Sequence, residues 1–217
     1  MATMLCFVLT DAPIAPELLK TALPRAVRKS FNSISVDGDT STNDMVLLLA
    51  NGASGGAMIL PDTREAQIFS QHLDRVLLDL AKMIVRDGEG ATKLVQIRVI
   101  GAESEKTARI AARSVATSSL VKTAFFGEDA NWGRIIAAVG YSGIDIDPNR
   151  IDISFDQVPV ALNGLAAGAE QEAKATGILQ QDEFVVTINL HSGEAESSYY
   201  TSDLSYEYVK INADYRT

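Results

Sequence analysis

The chain has 217 residues, 47% of them hydrophobic, and a formal net charge of -9. That length suits one domain, with room for two lobes and enough chain to bury a core. The acidic balance argues against nucleic acid, whose phosphates are held by Lys and Arg, and against an anionic membrane surface. A single cysteine, Cys6, excludes an internal disulfide framework and fits a reducing compartment, so a cytoplasmic location is expected. No apolar run reaches the ~20 residues needed to span a bilayer, and residues 1–10 lack the basic n-region of a signal peptide.

In chain order, Thr3 to Thr10 is expected as a strand. Leu5, Phe7 and Leu9 alternate with Met4, Cys6 and Val8, which are also apolar, so both faces should be covered. Residues 16–31 are expected as two short helices divided at Pro24. Met45 to Ala50 is expected as a buried strand, ended by the Asn51-Gly52 turn. The clearest helix is Asp62–Arg86, with Phe69, Leu73, Val76, Leu80 and Ile84 on one apolar face, a capping box from Asp62 to Glu65, and a stop at Gly88. A strand over 93–100 and a helix over Ser104–Thr117 follow, the helix with an Ala-rich face suited to close packing on a sheet. Trp132–Val139 is expected as a further helix, and Arg150–Val160, Glu183–Leu190 and Ser197–Thr201 as strands. Elements alternate early and strands cluster late, which points to an α/β or α+β class with a layered sandwich. A smaller C-terminal lobe is expected at about 143–217.

Several local patterns fail as functional motifs. The run Gly88 to Lys93 has the wrong glycine spacing for a phosphate loop, and it joins a helix to a strand where a P-loop joins a strand to a helix. The glycine-rich Asn51–Gly56 is not GxGxxG. Asp37-x-Asp39 and Asp145-x-Asp147-x-Asn149 begin like calcium loops but lack the later glycine and glutamate. His72 and His191 are the only histidines and have no second His or Cys at ligand spacing, so no metal is expected. No GxSxG nucleophile elbow is present. On these grounds alone the function stays open.

A set of ordered blocks narrows it. The chain opens Met1-Ala2-Thr3-Met4-Leu5 and continues with Gly38-Asp39-Thr40-Ser41-Thr42-Asn43-Asp44 and Asn51-Gly52-Ala53. Asp87-Gly88-Glu89-Gly90-Ala91-Thr92-Lys93 follows, then Phe126-Gly127 with Asn131-Trp132-Gly133-Arg134. It closes Asp203-Leu204-Ser205-Tyr206-Glu207-Tyr208-Val209-Lys210-Ile211-Asn212-Ala213-Asp214-Tyr215. In this order and spacing the chain resembles the C-terminal β subunit of the ornithine acetyltransferase (glutamate N-acetyltransferase) family of arginine biosynthesis, over essentially all of residues 2–217.

The resemblance implies a layered α-β-β-α sandwich of the aminopeptidase/ornithine acetyltransferase type. It also implies a precursor that cleaves itself between Ala2 and Thr3, leaving Thr3 as an N-terminal nucleophile. A threonine hydroxyl is a weak nucleophile until a base takes its proton, and a freed α-amine, with a pKa of about 8, is such a base. Thr3 would take acetyl from N2-acetylornithine, release ornithine, and pass the acetyl to glutamate by ping-pong exchange. Glu89, Asn212 and Thr217 match family positions that contact substrate; Asn43 and Asp44 are expected to be architectural or to shape the pocket. The implied partner is an α chain from the same precursor, carrying the oxyanion donors and a substrate-binding lysine, with two α–β pairs forming a heterotetramer. No cofactor is implied, although acetyl-CoA is a further acetyl donor open to the family.

The sequence departs from the family at Met45, where Thr is frequent, at Ala130, where Pro is usual, and at Arg216 between two expected contact positions. The upstream half is absent from this sequence, so the chain is expected to be nearly inactive alone and to expose apolar surface meant for its partner. With Met1 and Ala2 attached, Thr3 has no free amine. The competing expectations are an N-terminal-nucleophile amidohydrolase or aminopeptidase, which would release the acyl group to water, and a non-catalytic subunit that retains Met1 and Ala2.

Overall fold

A computed structural model of the chain describes residues 3–214. The chain divides into two compact units, Met1–Ser33 with Asp39–Met83 and Ile34–Gly38 with Ile84–Thr217. The class is mixed α/β, as expected, with a sheet flanked by helices.

The first unit pairs two strands, β1 (Leu5–Thr10) and β2 (Met45–Ala50), in parallel register from Leu5 opposite Met45 to Thr10 opposite Ala50. Parallel neighbours need a crossover, and α1 (Pro16–Lys29) lies in the connection. The helix is continuous, contrary to the expected pair: Pro24 sits inside it, on an exposed turn. The carbonyl that a proline deprives of its partner faces water there and is not left dry, so the helix need not break.

The second helix, α2 (Arg64–Arg86), begins beyond Asp62, and Thr63 caps it: the Thr63 hydroxyl accepts the Ala66 N–H at 3.2 Å. Its covered stripe is Ala66, Leu73, Leu77, Ala81 and Val85, while Val76 and Leu80 of the expected face are exposed. The helix carries a second apolar row, so periodicity alone could not choose between them. The selected row includes two alanines, which allow close approach. Ile14, Leu18, Ala22, Ala26, Leu73 and Leu77 form the unit's core against Cys6, Val8, Leu48 and Ala50. Burial raises the pKa of the Cys6 thiol, in keeping with a packed side chain.

The other strand face is uncovered among the described residues. Phe7 is 58% and Leu9 73% exposed, and Leu5, Leu47 and Leu49 share that face. The expectation that both faces of β1 and β2 are buried therefore fails within this unit, because its helices α1 and α2 pack on one side only.

The second unit holds a seven-stranded sheet. Its strands in chain order are β3 (Ile34–Ser35), β4 (Leu94–Ala102), β5 (Asp152–Phe155), β6 (Val158–Leu162), β7 (Leu165–Ala166), β8 (Glu183–Asn189) and β9 (Ala195–Ser202). In space the order is β3-β9-β4-β8-β5-β6-β7. The central strand β4 is parallel to β8 and antiparallel to β9. The strand expected over Arg150–Val160 is a hairpin, because Asp156 turns the chain at φ 46 and its carboxylate accepts the Val185 N–H at 2.8 Å. The segment 143–217, expected as a smaller lobe, supplies β5 to β9 to the same sheet as β4 and belongs to this unit.

Helices α3 (Glu105–Ala116), α4 (Ser119–Phe126), α5 (Trp132–Gly140), α6 (Ala169–Leu179) and α7 (Tyr206–Asp214) belong to it too. Val95, Ile97 and Val99 of β4 pack with Ala108, Ala111, Ala112 and Val115 of α3, so small residues bring helix and sheet together. Asn131 caps α5 by accepting the Arg134 N–H at 3.1 Å, giving the Asn131–Arg134 block an architectural job.

Within this unit lies a buried amine. Lys122 of α4, 3% exposed, donates to the carbonyls of Val36 (2.7 Å) and Ser202 (2.6 Å) and to the Thr201 hydroxyl (2.9 Å). Burial pushes its pKa down to about 8, although the carboxylates of Asp203 and Asp37 pull the other way. A lysine depressed in the folded state binds fewer protons there than when unfolded, so its contribution to stability rises with pH from about 8 to about 10. Lys122→Met should destabilise the protein by about 1–3 kcal/mol for each carbonyl it orphans. Because the wild type gains and the variant does not, the gap in melting temperature should widen from about pH 7.5 to about pH 9.5. Thermal unfolding at the two pH values checks this; a gap that narrows would contradict it.

Candidate active site

Thr3 stands just before β1, exposed, in the first unit. Its hydroxyl donates to Asn43 Oδ1 at 3.2 Å and lies 3.0 Å from the Ser41 hydroxyl. Asn43 Oδ1 also accepts from Thr42 Oγ1 at 3.0 Å, and Asp44 takes the next backbone N–H, that of Met4, at 2.9 Å. The reason is local: the parallel register places residues 41–44 beside residues 3 and 4, one step ahead of the Leu5–Met45 pair. Short polar side chains there compete for backbone and hydroxyl partners instead of extending the strand. Asn43 and Asp44 thus hold the threonine and its flanking peptide. Ser41, whose part in the site is not legible in the sequence, is a direct neighbour of the hydroxyl. Its block was recognisable, but which of four polar residues would reach Thr3 depends on register.

Glu89 and Asn212 lie in the second unit and meet there, Asn212 Nδ2 donating to Glu89 Oε2 at 2.7 Å and to the Tyr208 carbonyl at 3.0 Å. Both are exposed. Asn212 lies on α7, and Glu89 lies in the turn between α2 and β4, where Gly90 has φ +65. A Cβ at Gly90 would come within 2.5 Å of the Tyr208 backbone nitrogen, so only glycine lets the turn close on α7. Ala2 and Thr217 lie outside the described residues, as does Arg216.

The other candidates do different work. His191 Nε2 is 2.6 Å from Asp152 Oδ2. Burial works to raise the Asp152 pKa, but the Asn163 N–H and His191 outweigh it and hold the carboxyl below its usual range. The adjacent Ser192 hydroxyl is turned to the Gly101 carbonyl at 3.1 Å and is not lined up on the imidazole. A polar depression of about 480 Å³, lined in part by Gln96, Arg98, Asp156 and Glu196, opens on the face of β4 opposite Val95 and Ile97. It includes neither Glu89 nor Asn212. Among the described residues, no three His, Cys, Asp or Glu side chains are grouped to hold a metal ion, and no helix is long and apolar enough to cross a membrane.

Comparison with known proteins agrees with the sequence blocks. The ArgJ family model matches residues 1–217. The arginine biosynthesis bifunctional protein ArgJ of Syntrophotalea carbinolica is 64% identical over the whole chain, and that of Geobacter sulfurreducens 55%. In each case the match covers 55% of the relative, so the chain spans about half the length of the curated relatives it matches. A crystal structure of the arginine biosynthesis bifunctional protein ArgJ from Bacillus halodurans is 42% identical. It superposes with a TM-score of 0.94 over 98% of this chain and 100% of that one. Matched from end to end by the family model, and in fold by that structure, the chain belongs to the ArgJ family, the ornithine acetyltransferases that its sequence blocks resemble.

Proposed function

We propose that the chain is the nucleophile-bearing subunit of a cytoplasmic glutamate N-acetyltransferase of arginine biosynthesis, acting through an acetyl-Thr3 ester. The observation that carries this is the Thr3 hydroxyl, exposed at the head of β1 and aimed by hydrogen bonding to Asn43. Cleavage of the Ala2–Thr3 bond frees the α-amine one residue's reach from that hydroxyl. The amine takes the hydroxyl proton as Oγ1 attacks the acetyl carbonyl of N2-acetylornithine. The C–N bond then breaks, the departing α-amine takes the proton, and ornithine leaves. In the second half, the α-amine of glutamate attacks the ester and Thr3 recovers its proton, so the acetyl group is conserved. Glu89, Asn212 and Thr217 supply substrate contacts, a carboxylate being suited to an ammonium group. Acetyl-CoA is an alternative donor to the same hydroxyl, and no cofactor is needed for either half.

The partner in this proposal is the upstream α chain of the same precursor, with two pairs in the assembled enzyme. The uncovered apolar face of β1 and β2 supports it, because a contiguous patch of Leu5, Phe7, Leu9, Leu47 and Leu49 is the kind that marks an interaction surface. The donors for the developing oxyanion come from that chain, and each such donor is worth roughly 10²–10³ in rate.

The decisive measurement is an acid-quenched mass of the N-terminal peptide of the assembled two-chain protein, before and after N2-acetylornithine. The peptide should begin at Thr3 and gain one acetyl group. Retention of Met1 and Ala2 with no acetyl captured would refute the mechanism, and Thr3→Ala should capture none. Glutamate should then discharge the ester; discharge equally fast without it would mean that water is the acceptor and the enzyme an amidohydrolase. Asn43→Ala should slow acetylation by about two- to tenfold, the worth of one aiming hydrogen bond, as read by quenched-flow mass analysis. Replacing Phe7 and Leu9 together by Lys should abolish co-purification with the upstream chain.

A further inference from the structure

The turn that carries Glu89 is held by more than Asn212. Asp203, 3% exposed and just past β9, accepts the backbone N–H of Thr92 at 2.8 Å and of Lys93 at 2.9 Å through Oδ1. Its Oδ2 accepts the Thr92 hydroxyl at 2.7 Å. Two residues on, Ser205, 5% exposed, donates to the Gly90 carbonyl at 2.6 Å and sits under the first turn of α7, where it accepts the Tyr208 N–H at 3.4 Å. The glycine at 90 lets these backbones touch. One segment, 203–205, therefore bolts the Glu89 turn to the start of the helix that carries Asn212, across 110 to 115 residues of sequence.

We infer that Asp203 and Ser205 are positioning residues for substrate recognition: they lock the Gly88–Lys93 turn to α7 so that Glu89 and Asn212 are presented as one preformed pair. This rests on the proposed role of Glu89 in contacting the substrate. Neither residue reaches substrate itself; each acts through the backbone of the turn. An exposed carboxylate on a glycine-flanked turn would otherwise sample many orientations, and each must be given up on binding. Fixing the turn removes that cost before the substrate arrives, so the effect belongs in substrate affinity and not in the chemistry at Thr3.

The test uses the assembled two-chain protein and mild substitutions. Ser205→Ala and Thr92→Val each remove one bolt, while Thr92→Ser keeps the hydroxyl. The first two should raise KM for N2-acetylornithine about five- to tenfold, the worth of one such hydrogen bond, with kcat changed less than about twofold, and Thr92→Ser should restore the wild-type KM. In a Glu89→Gln background the same substitutions should raise KM no further, because groups acting through one another are not additive. An unchanged KM in Ser205→Ala and Thr92→Val, or an equal rise in the Glu89→Gln background, would overturn the inference. Hydrogen exchange over residues 88–93 needs no substrate. It should quicken about tenfold or more in Ser205→Ala, Thr92→Val and the wedge Gly90→Ala, and unchanged exchange would overturn the lock outright. Quickened exchange in a protein that transfers no acetyl from N2-acetylornithine would support the lock and overturn the proposed function instead.

Discussion

The second unit depends on the buried amine of Lys122. It ties together three pieces of chain that no single element joins: the Val36 carbonyl beside the edge strand, the last residues of β9, and α4 itself. A buried cation left without acceptors is far costlier than one fully bonded, so the end of β9 is held wherever Lys122 is satisfied. The Leu204 N–H returns a bond to the Lys122 carbonyl at 3.2 Å. The residues of this unit proposed for substrate contact hang from that point, through Asp203, Ser205 and α7 to the Glu89 turn. The depressed pKa of Lys122 is the mark of this burial.

The first unit is organised by register. Parallel pairing of β1 with β2 sets residues 41–44 against Thr3 and Met4, and a shift of one residue would turn every side chain to the other face. The hydroxyl is consequently placed by a strand pair and by Asn43, not by a flexible tail. In the proposed mechanism rigid placement matters, because the base is the nucleophile's own amine. The two groups share one residue, so their mutual geometry is set by the Thr3 backbone and a single side-chain rotation.

Much of this was legible in the sequence, and the failures have physical causes. Strands with strong patterns, such as KLVQIRVI, and the Ala-rich helix with its Ser104 cap appear where expected. Pro24 misled because breaking a helix matters less at an exposed turn. The face of α2 was misassigned in part: Phe69 and Leu73 pack as expected, but Val76 and Leu80 are exposed, because two apolar rows compete and only the neighbouring elements decide between them. Helices α4, α6 and α7 were missed altogether. No residue of α7 is buried, and its contacts are scattered ones such as Tyr206 edge-on to Phe126 and Asn212 to Glu89, so its sequence shows no buried stripe. The Glu89–Asn212 contact joins residues more than 120 apart in the chain, and no local pattern encodes it. Asp203 likewise looks like any acidic residue after a strand until its two amide partners are known.

The apolar run Met4–Leu9, most of which lies in β1, is the instructive case. Apolar residues at every position describe a strand covered on both faces, yet the helices of its own unit cover one. The inconsistency disappears if the second cover belongs to another polypeptide. A sequence under selection in an assembled enzyme records the burial of the assembly, whereas the structure of one chain records only what that chain supplies. The uncovered row of Leu5, Phe7 and Leu9 starts two residues after Thr3. A partner layer laid on that row would therefore arrive beside the proposed nucleophile, and the same apolar contact that covers the strands would bring in the groups the proposed chemistry still lacks.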